Sequence, residues 1–165
     1  MTLSDTLLPE FDQEMATTRR VLERVPNDKG EWKPHPKSFS MAHLAQLVSM
    51  IPDWITQTLR KTEINIKGGA GYKTQKTESL LEQFDRNVRE ARAAIAETKD
   101  KDYEVNWSLK MGDQVLFTQT RAVGVRSHIS HLVHHRAQLG VYLRLADVPV
   151  PQMYGPTADE GWGSR

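Results

Sequence analysis

The chain has 165 residues, a net charge of +1 and 38% hydrophobic residues. This length is enough for one domain with a hydrophobic core that folds without a disulfide or a structural metal. It contains no cysteine, which excludes disulfides, thiolate metal sites and a cysteine nucleophile. Its charges form no dense basic block, so nucleic acid is not an expected partner. The acidic N-terminus and the absence of a long apolar run predict a soluble, cytoplasmic protein without a membrane span.

The first two predicted helices lie in the N-terminal part of the chain. Apolar residues from Leu7 to Val25 recur at helical spacing, with Ser4 or Asp5 as the expected N-cap and Pro26-Asn27 as the stop. Ser40 is the expected cap of the second helix, which begins near Met41. Pro52 is expected to kink or end that helix, because it removes a backbone hydrogen bond, and Trp54 then lies just past the break.

The second half of the chain predicts two more helices around a hairpin. The glycines of IKGGAGYKTQ predict a flexible connection, after which a stripe from Leu81 to Ile95 begins behind Thr77 or Ser79 and ends near KDKD. Alternation in NWSLKMGDQVLFTQT predicts a short hairpin that turns at Gly112-Asp113. A helix over 121–145 precedes a proline-rich tail. We predict a single all-α domain over 1–165, a four-helix bundle with a short β-hairpin before the last helix.

The last helix carries a row of histidines. His128, His131 and His135 fall within roughly 60° of one another, while His134 points away. Gln138 and Tyr142 continue the row. His131 and His135, four residues apart, suit one divalent ion, with a third ligand from His43, His128 or a carboxylate. The alternative is that these histidines lie at a helix boundary and bind carbonyls and water. Arg136 is expected to hold a neighbouring helix through a carboxylate.

Three motifs point to a known family, namely SHLVHHRAQLGVYLR with VPVPQMYGPTADE, WKPHPKSFSMAHLAQL, and LLPEFDQEMATTRRVLERVP. Together they resemble the DinB-like (DinB/YfiT) family of bacterial four-helix-bundle proteins. The resemblance implies an up-down-down-up bundle, a homodimer, and nickel or zinc on three histidines, two of which match His131 and His135. The position of the third histidine, seven residues before Trp54, is occupied here by Leu47. A leucine side chain cannot bind metal. His43, one turn earlier, is the expected replacement.

The resemblance also implies a function. Relatives use a low-molecular-weight thiol, so a divalent-metal-dependent thiol S-transferase, or a related hydrolase-like enzyme, is the first hypothesis. Gln138, Tyr142 and Arg136 are then candidates for contacts to the substrate or to the metal ligands. The alternatives are a non-catalytic, stress-associated or partner-binding bundle, and binding of a small hydrophobic or anionic ligand between helices two and four, with Leu47 in the wall. The aromatic anchors available to a partner-binding bundle are Trp54, Tyr72, Trp107 and Trp162.

Overall fold

The computed structural model describes residues 1–68 and 71–163, and these residues are mostly helical. Residues 69–70, in the middle of the predicted flexible connection, lie outside the described part. In chain order the elements are α1 (Leu3–Leu22), a 3-10 turn (Asn27–Lys29), α2 (Met41–Arg60), β1 (Glu63–Asn65), α3 (Thr77–Glu97), α4 (Asp100–Tyr103), β2 (Asn106–Met111), β3 (Gln114–Thr120) and α5 (Arg121–Leu145). The four predicted helices correspond to α1, α2, α3 and α5, and α4 is an additional single turn that begins inside KDKD and ends at Tyr103.

The four long helices share one hydrophobic core. Helices α1 and α2 each contact both α3 and α5. Each helix buries one apolar stripe, and removing that area from water is the main stabilising contribution. The largest buried apolar side chains include Leu7, Phe11, Leu22, Met41, Leu44, Ile51, Ile55, Phe84 and Ile95. The up-down-down-up order of the predicted bundle stays a prediction. No helix in the described ranges is long and apolar enough to cross a membrane.

The N-cap of α1 is Thr2, so the prediction of Ser4 or Asp5 was wrong. Thr2 Oγ1 accepts from the Asp5 backbone N–H at 3.2 Å, and Asp5 Oδ2 accepts from the Thr2 backbone N–H at 2.8 Å. This reciprocal pair satisfies two free N–H groups at once. Ser4 is instead buried, and its hydroxyl donates to the Ile95 carbonyl at 2.7 Å.

The predicted caps of the next two long helices had different outcomes. Ser40 is the N-cap of α2, as predicted, and its Oγ accepts from the His43 backbone N–H. Helix α3 begins at Thr77 behind Lys76, whose side chain makes no capping bond, so neither Thr77 nor Ser79 is the cap. The Thr77 hydroxyl donates to the Val25 carbonyl at 2.6 Å, which ties the start of α3 to the segment just after α1.

Helix α2 continues through Pro52 to Arg60, and Trp54 lies inside it rather than beyond a break. Ile55 and Leu59, after the proline, are buried in the core. In addition, Asn87 Nδ2 of α3 donates to the Ser49 carbonyl at 3.0 Å, in the stretch that the proline interrupts. Packing of the second half of α2 therefore outweighs the hydrogen bond that Pro52 removes.

The predicted hairpin is present, and it belongs to a three-stranded sheet in the order β1-β2-β3. Strands β2 and β3 pair antiparallel, and Gly112 adopts a φ of +64° in the turn, a conformation open to glycine. Strand β1 pairs parallel with β2 and was not predicted, because three residues are too short to show alternation. Ile64, Leu109 and Phe117 are cross-strand partners, so they form one row across the sheet.

The tail after α5 folds back over α1 and α5. Glu160 forms ion pairs with Arg20 and Arg24, and it accepts from the Gln152 backbone N–H at 2.8 Å. Asp159 forms an ion pair with Arg144, and the hydrogen bond from the Arg144 guanidinium lowers the pKa of the Asp159 carboxyl. The tail does not continue the helix, as predicted, and its acidic end is fastened to basic side chains of the helices.

The sheet meets α5 at a glycine. Trp107 on β2 is buried, and a Cβ built at Gly124 would lie 2.3 Å from its Nε1 and 2.9 Å from Thr58 Cγ2. Only a residue without a side chain lets the indole approach the helix this closely.

Replacing Gly124 with alanine is expected to lower the free energy of unfolding by about 1–3 kcal/mol through overpacking, despite the better helix propensity of alanine. Gly140 of the same helix is a matched control, since its nearest neighbour is the flexible end of Met153. Gly140→Ala is expected to be neutral or slightly stabilising. Thermal unfolding of both variants checks this, and equal stability would contradict the tight contact at Gly124.

Candidate functional site

A cleft of about 400 Å³ lies between the sheet and helices α2 and α5. The row of Ile64, Leu109 and Phe117 forms its sheet wall, together with Ile66 and Trp107. Helix α2 contributes Trp54, and α5 contributes three polar side chains, those of Ser127, His128 and His131. Gln119 of β3 completes the lining. The volume and the mainly apolar wall are those of small-molecule sites.

Aromatic rings surround the cleft at contact distances. The centroids of Trp107 and Phe117 are 5.9 Å apart in an edge-on arrangement. Trp54 lies 5.6 Å from His131 and 5.9 Å from His128, and Trp107 lies 5.7 Å from His128. These separations are in the range where rings interact favourably.

His128 lies between the two tryptophans of the cleft. Thr58 Oγ1 and His128 Nε2 are 3.0 Å apart and share a hydrogen bond. Burial, with a smaller contribution from His131, lowers the pKa of His128 to about 4. The imidazole is therefore neutral near pH 7, as expected for a titratable group removed from water.

His131 and His135 are joined in a hydrogen-bonded chain with Gln138. Gln138 Oε1 accepts from His135 Nδ1 at 2.7 Å, which leaves His135 Nε2 as the acceptor for the Nε2–H of His131 at 2.8 Å. Burial is the main cause of the lowered pKa of both histidines. The structure thus brings His131 and His135 together, with Gln138 hydrogen-bonded to His135. A role of these residues in binding a metal or a substrate stays a prediction.

His43 is placed differently. Its ring is stacked between Phe39 and Tyr72, with centroid separations of 4.0 and 3.7 Å. Burial, with a smaller contribution from the charge of His135, lowers the pKa of His43. Leu47, one turn further along α2, is 5% exposed and packs in the core.

These residues do not form a three-ligand metal site as they stand. Across residues 1–68 and 71–163 there is no group of three or more His, Cys, Asp or Glu side chains that could hold a metal ion. Two imidazole nitrogens bound to one tetrahedral zinc, each about 2.0–2.1 Å from the ion, would lie about 3.3 Å from each other. The Nε2 atoms of His131 and His135 are 2.8 Å apart, which is a hydrogen-bond distance. Nickel or zinc on His131, His135 and His43 stays a prediction.

Arg136 turns away from the histidines into the core. Its Nη1 lies 2.6 Å from Glu14 Oε2 of α1, and its Nη2 donates to the Tyr154 hydroxyl at 2.9 Å. Tyr154 in turn donates to Glu14 Oε1 at 2.9 Å. The side chain of Arg136 is 1% exposed. This is the predicted link to a neighbouring helix through a carboxylate, and it leaves no guanidinium for a substrate in the cleft.

Tyr142 is also directed elsewhere. Its hydroxyl donates to the Phe39 carbonyl at 3.2 Å, and its ring packs edge-on against Trp32 at 5.6 Å. It fastens the loop before α2 to α5, and neither this hydrogen bond nor this ring contact involves the histidines.

The four aromatic residues considered as interface anchors lie in different environments. Trp107 is buried and Trp54 lines the cleft, so neither projects from the outer surface. Tyr72 stacks on His43, and of the four only Trp162 is mostly exposed, at 76%.

The cleft was only partly visible in the sequence. A pocket between the second and last long helices was expected, with Leu47 in its wall, but the sheet supplies half of the wall and Leu47 is absent from it. Ile64 and Ile66 were missed because Ile64 lies in β1, a strand that was not predicted, and Ile66 follows directly after it. The alternation of Trp107 and Leu109 in β2 was the one available signal.

Comparisons with known proteins agree on one family. The family model described as the DinB family matches residues 1–163. A DinB-like protein of Bacillus cereus has a crystal structure similar to this chain, with 20% identity, a TM-score of 0.73, and coverage of 93% of this chain and 98% of that one. A DinB-like protein of Bacillus subtilis (YjoA) has 15% identity, a TM-score of 0.69, and coverage of 90% and 97%. No curated protein matches the chain.

Proposed function

The chain belongs to the DinB family, and we propose that it binds a small, largely apolar molecule in the cleft between its sheet and helices α2 and α5. The observation that carries this proposal is the cleft itself. Three aromatic side chains and three aliphatic ones from β1 to β3 and α2 line about 400 Å³. Covering such a surface with a ligand releases water from apolar area, at about 25 cal/mol per Å².

The exposure of the cleft wall supports this proposal. Phe117 is 44% exposed and Ile66 is 49% exposed, although both face the cleft. Apolar side chains that remain in contact with water next to buried ones are typical of binding sites. A ligand seated there would cover them without any rearrangement of the core.

Replacing Phe117 with alanine tests the site. We expect the affinity for a fused-ring probe, 2-naphthol or 2-naphthoate, to fall about tenfold, because the variant loses a ring contact of about 1.4 kcal/mol. Isothermal titration calorimetry measures it. Leu116 is a matched control, since it is a neighbouring apolar residue of the same strand, 39% exposed, that does not line the cleft. No binding of either probe, or equal losses in both variants, would contradict the proposal.

A second candidate function is the divalent-metal-dependent thiol S-transferase, or a related hydrolase-like reaction. One observation favours it: the Nε2 atoms of His131 and His135 point at each other, and His131 also lines the cleft. A tight site would need a third protein ligand, which Leu47 does not supply. The low-molecular-weight thiol and the homodimer stay predictions.

Replacing Leu47 with histidine tests this second candidate. We expect the affinity for nickel or zinc to rise at least about tenfold, because a third imidazole completes the usual ligand number. Metal bound to the purified, untagged protein is measured by mass spectrometry and titration. The control carries His131→Ala as well and should lose the gain. Unchanged, tight binding by both the wild type and Leu47→His would show that another side chain, such as His43, already completes the site.

A further inference from the structure

The cleft has no ionic side chain in its wall. Among the described residues that line it there is no Asp, Glu, Lys or Arg. Its polar members are an amide, a hydroxyl and two imidazoles. A charged ligand would give up part of its hydration on entering and find no opposite charge, which weakens its binding relative to a neutral ligand of the same shape.

The rings set the shape that fits. Trp107 and Phe117 meet edge-on, while Trp54 is tilted by 41° against His131. A flat ring placed among them can stack on one face and meet the edges of the others, at the separations that aromatic pairs prefer. A flexible chain would touch the same wall but would lose rotamer freedom without gaining ring contacts.

Two polar side chains at the cleft are accessible to a ligand. Gln119 and Ser127 line it, and Gln119 is half-buried while Ser127 is exposed. An amide and a hydroxyl can each donate or accept. They suit one neutral polar group, such as a phenol-type hydroxyl, on an otherwise apolar ligand.

Resting on the proposed function, we propose that the cleft selects a neutral, flat aromatic molecule with one hydrogen-bonding group and rejects its anionic counterpart. The wall supplies ring contacts for the apolar part, and Gln119 or Ser127 supplies a partner for the polar group. The class is defined by charge and planarity, which are the two properties that the lining residues discriminate.

The test compares two probes with the same fused rings, 2-naphthol and 2-naphthoate, at pH 7.5. One is neutral and the other carries a carboxylate. Calorimetric titration of the full chain is expected to show at least about tenfold tighter binding of 2-naphthol, equivalent to about 1.4 kcal/mol. Gln119→Leu is expected to weaken 2-naphthol binding about three- to tenfold through the lost hydrogen bond, while leaving naphthalene binding unchanged.

The outcomes separate this inference from the proposed function. Equal or tighter binding of 2-naphthoate, still weakened by Phe117→Ala, would overturn the preference for a neutral ligand and leave the cleft as a binding site. Binding of neither probe, or binding insensitive to Phe117→Ala, would overturn both. Circular dichroism of Phe117→Ala and Gln119→Leu confirms that a loss of binding is not a loss of fold.

Discussion

Replacing Arg136 with alanine is expected to lower the free energy of unfolding by about 3–5 kcal/mol, a large share of the stability of a domain this size. The side chain of Arg136 is 1% exposed and that of Glu14 is 9% exposed. Without the guanidinium, the Glu14 carboxylate is left buried with only the Tyr154 hydroxyl as a donor. The penalty comes from this uncompensated charge rather than from a lost attraction.

Urea unfolding of Arg136→Ala measures the effect, with Arg126→Ala as the matched control. Arg126 lies on the same helix and pairs with Glu10, but its side chain is 58% exposed. Exposed pairs contribute about 0–1 kcal/mol, so the control should be close to the wild type. A double replacement, Arg136→Met with Glu14→Leu, is expected to recover most of the loss, because it removes both charges. A cost below 1 kcal/mol for Arg136→Ala would show that the pair is not buried in solution.

Acidification is expected to destabilise the protein through His128. In the folded state the pKa of His128 is about 4, against an ordinary value of 6.5, so the folded protein holds the neutral imidazole. As the pH falls below 6.5, the unfolded chain takes up a proton that the folded protein does not, and stability falls until about pH 4. The difference corresponds to about 3 kcal/mol at pH 4 and is absent above pH 7.

The measurement is the difference in unfolding free energy between pH 7.5 and pH 4 for the wild type and His128→Gln. The variant should lose about 3 kcal/mol less than the wild type over this range, since the other titrating groups are common to both. His134→Gln is the control on the same helix, because His134 is exposed and its replacement removes no buried imidazole. Parallel losses in the wild type and in His128→Gln would contradict the burial of this ring.

Several features of the fold followed from local sequence. The four long helices, the Ser40 cap and the turn at Gly112 depend on periodicity and on residues whose conformational preferences act within a few positions. The cap of α3 and the continuation of α2 through Pro52 did not follow, because partners distant in the chain decide them. Thr77 donates to Val25 instead of capping, and Ile55 is held in the core beyond the proline. The cap of α1 is a local pair of Thr2 and Asp5, although Ser4 or Asp5 was the expected cap.

The candidate site divides in the same way. Helical spacing alone predicted that His131, His135 and Gln138 lie together, as they do. It also predicted that His134 points away from them, and His134 is exposed. It could not place His43, whose stacking on Phe39 and Tyr72 depends on two loops that the periodic pattern does not describe.

The sequence by itself determined which residues lie along one face of each helix, because that depends only on helical geometry. It also determined the family, through three motifs that span most of the chain. Only the tertiary structure decided where the cleft lies, since β1 joins the hairpin through a pairing 45 residues away, between Glu63 and Ser108. The tertiary structure likewise decided that Arg136 serves the core, because its carboxylate partner comes from α1. Contacts between distant segments are set by the packing of the whole chain, and no local pattern records them.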